Sequence, residues 1–220
     1  MPNWLRRSGS STNSASSSSP DAPLHSLRYV VLDNELTSLD HRTNRLLSVG
    51  AIVMQGPSIR LGEQFYRVVN PQVSIPAETV VVHKLRAQDV EGGEALENAL
   101  ADFFQFIAGS VLVGHFVDID LKILRKEIAR TGRKLDQPAV DTARIHHWIL
   151  RHGPYSEDLH AKLEKLDLPT VAKFYRVDVQ GAHHALSDAF LTACVWQKML
   201  CALPEKGIGN FRKLLKIGGA

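Results

Sequence analysis

Cysteine is almost absent: the 220 residues contain two, Cys194 and Cys201. Seven positions apart in a helix-like stretch, they share a face but sit roughly 10 Å from each other at ~1.5 Å rise per residue. A disulfide needs Cα atoms within about 7 Å, so free thiols in a reducing compartment are expected. Long apolar runs are also missing, and nothing approaches the roughly 20 residues of a membrane-spanning helix. The opening MPNWLRRSGSSTNSASSSSP lacks the apolar core of a secretory signal, so a cytoplasmic protein is expected. No internal repeat is visible. Nor does one sign of charge dominate: 26 Lys and Arg against 23 Asp and Glu leave a net +3. That balance permits a nucleic-acid partner without demanding one.

What is present reads as one globular domain. Hydrophobic residues are 44% and charged residues 22%, close to the average for folded domains. Seven of the ten residues from Ser10 to Ser19 are serine, too polar to offset chain entropy by burial. Residues 1–27 are therefore expected to be a disordered Ser-rich tail, 28–203 the folded domain, and 204–220 a basic C-terminal tail. Within the domain, LRYVVLD, RLLSVGAIVMQG and RLGEQFYRVVN read as three strands with short connections, hence an antiparallel meander. EGGEALENALADFFQFIAG has apolar residues at helical spacing and a glycine after its end. SVLVGH is a fourth strand, DIDLKILRKEIARTG a helix, PAVDTARI a fifth strand, and LPTVAKFYRV and HALSDAFLTACVWQKML further helices. A meander followed by alternating helix and strand predicts an α/β fold with a mixed sheet.

The carboxylates are unusually placed. Asp33 and Glu35 follow the apolar run Tyr29–Leu32, and side chains two apart on a strand share a face. Two such groups repel unless one takes a proton or a cation sits beside them. If the strand ends at Leu32, both are merely solvated in a turn. A second apolar strand runs into Asp118 and Asp120, where a helix begins; acids there also serve as caps and dipole partners. Asp118 fits an N-cap. The third stretch, GAHHALSDAFLTA, places Asp188 in an otherwise apolar helix, costly unless paired or metal-bound. His183 precedes it by five residues and falls on another face, more plausibly on a loop before the helix. Beside an acidic set it is a candidate general base.

These stretches together resemble the signature of the DEDDh, or DnaQ-like, 3′–5′ exonucleases, which include the proofreading subunit of bacterial replicative polymerase. The first motif, D-x-E-T-T-G, is met in DNELTS by Asp33 and Glu35. The second, G-H-N-x-x-F-D, is met in GHFVDID by Gly114, His115 and Asp120. The third, H-x-A-x-x-D, is met in HHALSD by His183, Ala185 and Asp188. IPAETVVVHKL looks like the family's His-Gly-Ile segment through Pro76, His83 and Leu85. The resemblance covers roughly residues 27–203. Departures fall at Leu36, Ser38, Lys84, Phe116 and Ile119; none removes a metal ligand.

The resemblance implies an RNase H-like mixed sheet and hydrolysis of phosphodiester bonds from the 3′ end of DNA, releasing nucleoside 5′-monophosphates. It implies two Mg²⁺ or Mn²⁺ ions held by Asp33, Glu35, Asp120 and Asp188, with His183 taking the proton from the attacking water. Leu36, Thr37, His83 and Leu85 fall where the family flanks the terminal nucleotide. Implied partners are nucleic-acid 3′ ends and, as an open option, a DNA polymerase subunit on a separate chain. Two alternatives stay open: an exoribonuclease of the oligoribonuclease or ribonuclease T type, and a catalytically idle docking module. His146, His147 and His152 lack the further ligands of a zinc site.

Overall fold

The computed structural model describes residues 19–38, 40, 42–73, 85, 87–153, 165–179 and 184–220. The first strand, β1 (Arg28–Leu36), does not stop at Leu32; it runs four residues further, through both carboxylates. It pairs antiparallel with β2 (Leu46–Gln55), which pairs antiparallel with β3 (Ser58–Val68). Two short strands, β4 (Val111–Gly114) and β5 (Ala139–Asp141), continue the sheet parallel to β1. The order is β3-β2-β1-β4-β5, the expected meander extended by parallel strands.

Alternation along β1 divides the core between the two faces of the sheet. Val30 and Leu32 pack toward Phe103, Leu121 and Leu124, supplied by α2 (Leu96–Phe106) and α3 (Asp118–Ala129). Tyr29 and Val31 face Leu191, Val195 and Trp196 on α6 (Ala185–Ala202). That second face is completed by α4 (Thr142–Arg151), α5 (Leu168–Phe174) and α7 (Phe211–Gly218). A short helix, α1 (Ala87–Glu91), precedes α2.

Three local expectations change. PAVDTARI is strand only over Ala139–Asp141, because the Asp141 carboxylate accepts the Ala143 N–H at 2.8 Å and caps α4. Asp118 is not an N-cap: Val117 holds that position with helical backbone, and Asp118, already inside α3, pairs with Arg144. Composition also assigned too much to the tails. Leu24 and Leu27 are buried in the core, and Pro23 forms a β-bridge with Asn210. In the basic C-terminal segment, Asn210 caps α7 by accepting the Lys213 N–H at 3.0 Å. Phe211 and Leu214 are buried, and the Ala220 N–H reaches the Ala139 carbonyl at 3.1 Å.

One glycine sets how closely α6 approaches the sheet. Gly50, in the middle of β2, lies beside Asp33 on one side and Tyr66 on the other. A Cβ there would meet the Leu186 nitrogen at 2.2 Å and the Ala185 carbonyl carbon at 2.3 Å. Backbone cannot yield as a side chain can, so the start of α6 rests directly on β2 only because residue 50 has no side chain. Gly62, by contrast, has nothing within 4 Å of the place a Cβ would take. We expect Gly50→Ala to lower the melting temperature by about 3 °C or more, from an overpacking cost of ~1–3 kcal/mol. Gly62→Ala should leave it nearly unchanged in the same thermal melts.

Candidate active site

Strand parity and helix docking bring the acids together. Asp33 and Glu35 continue the Tyr29–Val31 side of β1, the side that α6 covers. The contact over Gly50 places the first turn of α6 there, and with it Asp188. Carboxylate oxygens of Asp33, Glu35 and Asp188 all lie within 4.8 Å of one another. Asp120 arrives from the opposite face, on the first turn of α3. It is buried, and its Oδ1 accepts the Asn34 N–H at 3.0 Å. Four carboxylates thus converge on the C-terminal end of β1 from two layers of the fold.

Their electrostatics follow from this crowding. Burial pushes Asp33 well above the usual carboxylate range, and the charges of Asp120, Glu35 and Asp188 push it further. Burial, then Asp188, raises Glu35 to about 7. Asp120 rises to about 8 through burial, despite the stabilising Asn34 N–H. Among the described residues, no Lys or Arg forms an ion pair with Asp33, Glu35 or Asp120. Protons or an added cation would neutralise them. Hard carboxylate oxygens at this spacing fit a divalent metal ion. Asp33, Glu35 and Asp188 are the one such ligand group among the described residues; His146, His147 and His152 do not assemble one.

The remaining expected positions divide. Leu36 is half-buried and packs on the α2–α3 side of the core. Thr37 is buried, and its Oγ1 accepts the Arg45 N–H at 2.9 Å, which ties the β1–β2 connection. Leu85 is buried against Leu47 and Val90. His83 and His183 lie outside the described residues, as does Pro76. The structure adds participants that motif reading missed. Tyr66 reaches the same end of the sheet from β3 and stacks on His184 with ring centroids 4.6 Å apart. Asn34 contributes through its backbone, which no side-chain pattern reveals. Gly50 had a readable signal: a lone glycine inside an apolar strand marks a close backbone approach.

Residues 30–195 match the sequence profile of the exonuclease family (RNase_T), and the chain belongs to that family. It is 28% identical over 191 residues to DNA polymerase III subunit epsilon of Aquifex aeolicus, covering 86% of this chain and 89% of that protein. It is 30% identical over 185 residues to the epsilon subunit of Rickettsia conorii, covering 80% and 75%. It also matches the PolC-type DNA polymerase III of Clostridium perfringens at 28% over 165 residues, 75% of this chain but only 11% of that polymerase. Among solved structures, E. coli exonuclease I bound to a dT13 oligonucleotide superposes with a TM-score of 0.70 at 16% identity, over 82% of this chain and 42% of that one. Cell-death related nuclease 4 gives 0.70 at 14%, over 82% and 66%. The mixed five-stranded sheet is the RNase H-like fold of these nucleases.

The raised acids have a thermodynamic consequence. A carboxyl whose folded pKa exceeds its unfolded value contributes stability at pH below about 4, and that contribution is lost as pH rises through the folded value. With cations chelated, the protein should lose stability from pH 5 to pH 8, the window set by Glu35 at about 7 and Asp120 at about 8. Asp33→Asn replaces a carboxyl that is costly to ionise here with a neutral amide. In chelator at pH 8 it should raise the melting temperature by about 3 °C, corresponding to ~1 kcal/mol. A melt showing the variant less stable than wild type under these conditions would contradict this electrostatic picture.

Proposed function

We propose that the chain is a metal-dependent 3′–5′ exonuclease acting on DNA 3′ ends, single-stranded or mispaired, and releasing nucleoside 5′-monophosphates. The observation that carries this reading is the convergence of Asp33, Glu35 and Asp188 within 4.8 Å, with Asp120 closing from the other face. An idle module has no reason to hold repelling acids together. The epsilon-named relatives favour DNA over RNA as substrate. The chain spans only 11–14% of the PolC-type polymerases it matches. Those names and the epsilon subunits motivate the proposal that a DNA polymerase subunit, as a separate chain, is its partner. The working unit we propose is the exonuclease domain of residues 28–203 together with the flanking segments that pack into its core, in a cytoplasmic setting.

In this reading Asp33, Glu35 and Asp188 would hold one Mg²⁺ or Mn²⁺, and Asp33 and Asp120 would contribute to a second. Such ions, when bound, would supply charge neutralisation at the phosphate and lower the pKa of a water. Asn34, through its N–H, fixes the orientation of Asp120. His183 accepts the water proton; near an ordinary pKa of about 6.5 an imidazole is mostly neutral, and so able to do this, at pH 7 to 8. The water oxygen bonds to phosphorus, the bond from phosphorus to the 3′ oxygen breaks, and that oxygen takes a proton from solvent, leaving a new 3′ hydroxyl on the strand. Leu36, Thr37, His83 and Leu85 are proposed to border the terminal nucleotide, with half-buried Leu36 offering sequence-tolerant contact and buried Leu85 backing the site.

A 5′-labelled single-stranded DNA oligomer incubated with Mg²⁺ or Mn²⁺ should give a descending ladder that chelator abolishes. Asp188→Ala should abolish it too, and His183→Ala should slow it about 10²–10⁴-fold. The same assay on RNA of equal sequence should run more slowly. A folded wild-type protein that yields no ladder with either metal would reject the reading.

A further inference from the structure

We propose that Phe116 is a stacking platform for a nucleobase near the 3′ end of the bound strand; this rests on the exonuclease reading above. Phe116 sits on the connection from β4 to α3, four residues before Asp120, at the same edge of the sheet as the carboxylates. Its φ is +55°, in the left-handed region that a residue with a bulky side chain rarely adopts. Such strain persists only where surroundings impose it, and it concentrates at functional sites. Burial does not repay it here, because 42% of the residue is exposed.

The residue is nonetheless held, its backbone by two hydrogen bonds and its ring by the edge of His115. The Phe116 N–H donates to Asp141 Oδ1 at 3.2 Å, the same oxygen that caps α4. Its carbonyl accepts the Ile119 N–H at 3.0 Å. The His115 ring meets it edge-on, with centroids 4.8 Å apart at 68°. His115 is fixed in turn through Nδ1 to Thr142 Oγ1 at 2.8 Å and Nε2 to the Leu166 carbonyl at 2.5 Å. Ile119, 37% exposed, extends the apolar surface. The result is a buttressed aromatic presented to solvent beside an acidic cluster. Those acids would repel a phosphate backbone without cations, whereas a base offers a neutral π-face. Stacking tolerates any base, so the platform grips a strand without reading its sequence.

The test uses the full chain and variants Phe116→Asn, which tolerates the left-handed backbone and is the residue the second motif carries, and Phe116→Trp. Affinity for a 5′-fluorescein single-stranded DNA is read by anisotropy in Ca²⁺, and folding by thermal melt. Phe116→Asn should weaken binding about tenfold, within the range of one lost stack, with an equal or higher melting temperature. Phe116→Trp should retain affinity. One oligomer carrying an abasic position among its last three nucleotides should bind wild type about tenfold more weakly than the intact strand, yet bind Phe116→Asn as that strand does. Equal affinity of wild type and Phe116→Asn would overturn the platform and leave the exonuclease reading standing. So would a lower melting temperature in Phe116→Asn without an abasic-specific difference. A wild-type protein that neither binds nor degrades the strand would overturn the exonuclease reading, and the platform with it.

Discussion

Mutual repulsion among carboxylates at the end of a buried strand is the constraint on which the rest of this molecule turns. Asp33 and Glu35 share one face of β1, and α6 brings Asp188 within 4.8 Å of both. Asp120 faces them from α3, buried and tied to Asn34. Left as charges, these groups would push the layers apart. Protons relieve the repulsion in part, as the raised Glu35 and Asp120 show. A divalent cation would relieve it more completely. The fold can tolerate so unfavourable a cluster because the sheet and its two helical layers are otherwise well packed, with Tyr29, Trp196, Phe103 and Leu121 fully buried.

The scaffold serves this cluster in a specific way. Each face of β1 is covered by a helix whose first turn lies near the strand's C-terminal end, so one acid comes from each layer. Gly50 makes the α6 side possible by letting backbone rest on backbone. On the α3 side, Gly114 has a similar effect: a Cβ there would meet the Val117 side chain at 2.6 Å. Tyr66 on β3 stacks on His184 near the same end of the sheet. Flanking segments add stability away from the chemistry, through Leu24 and Leu27 on one side and Phe211 and Leu214 on the other.

Much of this is legible in the residues alone. The meander, the parallel strands and the helices between them follow from periodicity, and the parity of Asp33 and Glu35 follows from strand geometry. Other features are hidden for physical reasons. The apolar run ends at Leu32, yet pairing with β2 carries the strand on to Leu36; composition cannot show a hydrogen-bonded partner. The strand after Pro138 stops at Asp141 because a side chain caps a helix, which competes with the β-like residues that follow. Asp118 resembles a cap, but the backbone turns helical one residue earlier and its carboxylate pairs with Arg144 instead. Leu24 and Leu27 are two apolar residues beside a serine-rich stretch, and only the tertiary fold supplies the pocket that buries them. Neither His183 nor His83 falls among the described residues, so their expected roles rest on the motifs alone.

Neutralisation of the cluster by a divalent cation is the claim on which the proposed chemistry stands. Because Asp33, Glu35 and Asp120 hold protons more tightly than free carboxyls do, cation binding must expel some of them. The most direct measurement is a pH-stat titration of Mn²⁺ into the chelator-stripped protein at pH 7, counting protons released per chain. The expected release is about one proton or more, reduced in Asp33→Asn. Saturable Mn²⁺ binding with no proton release, or no binding at all, would contradict the claim.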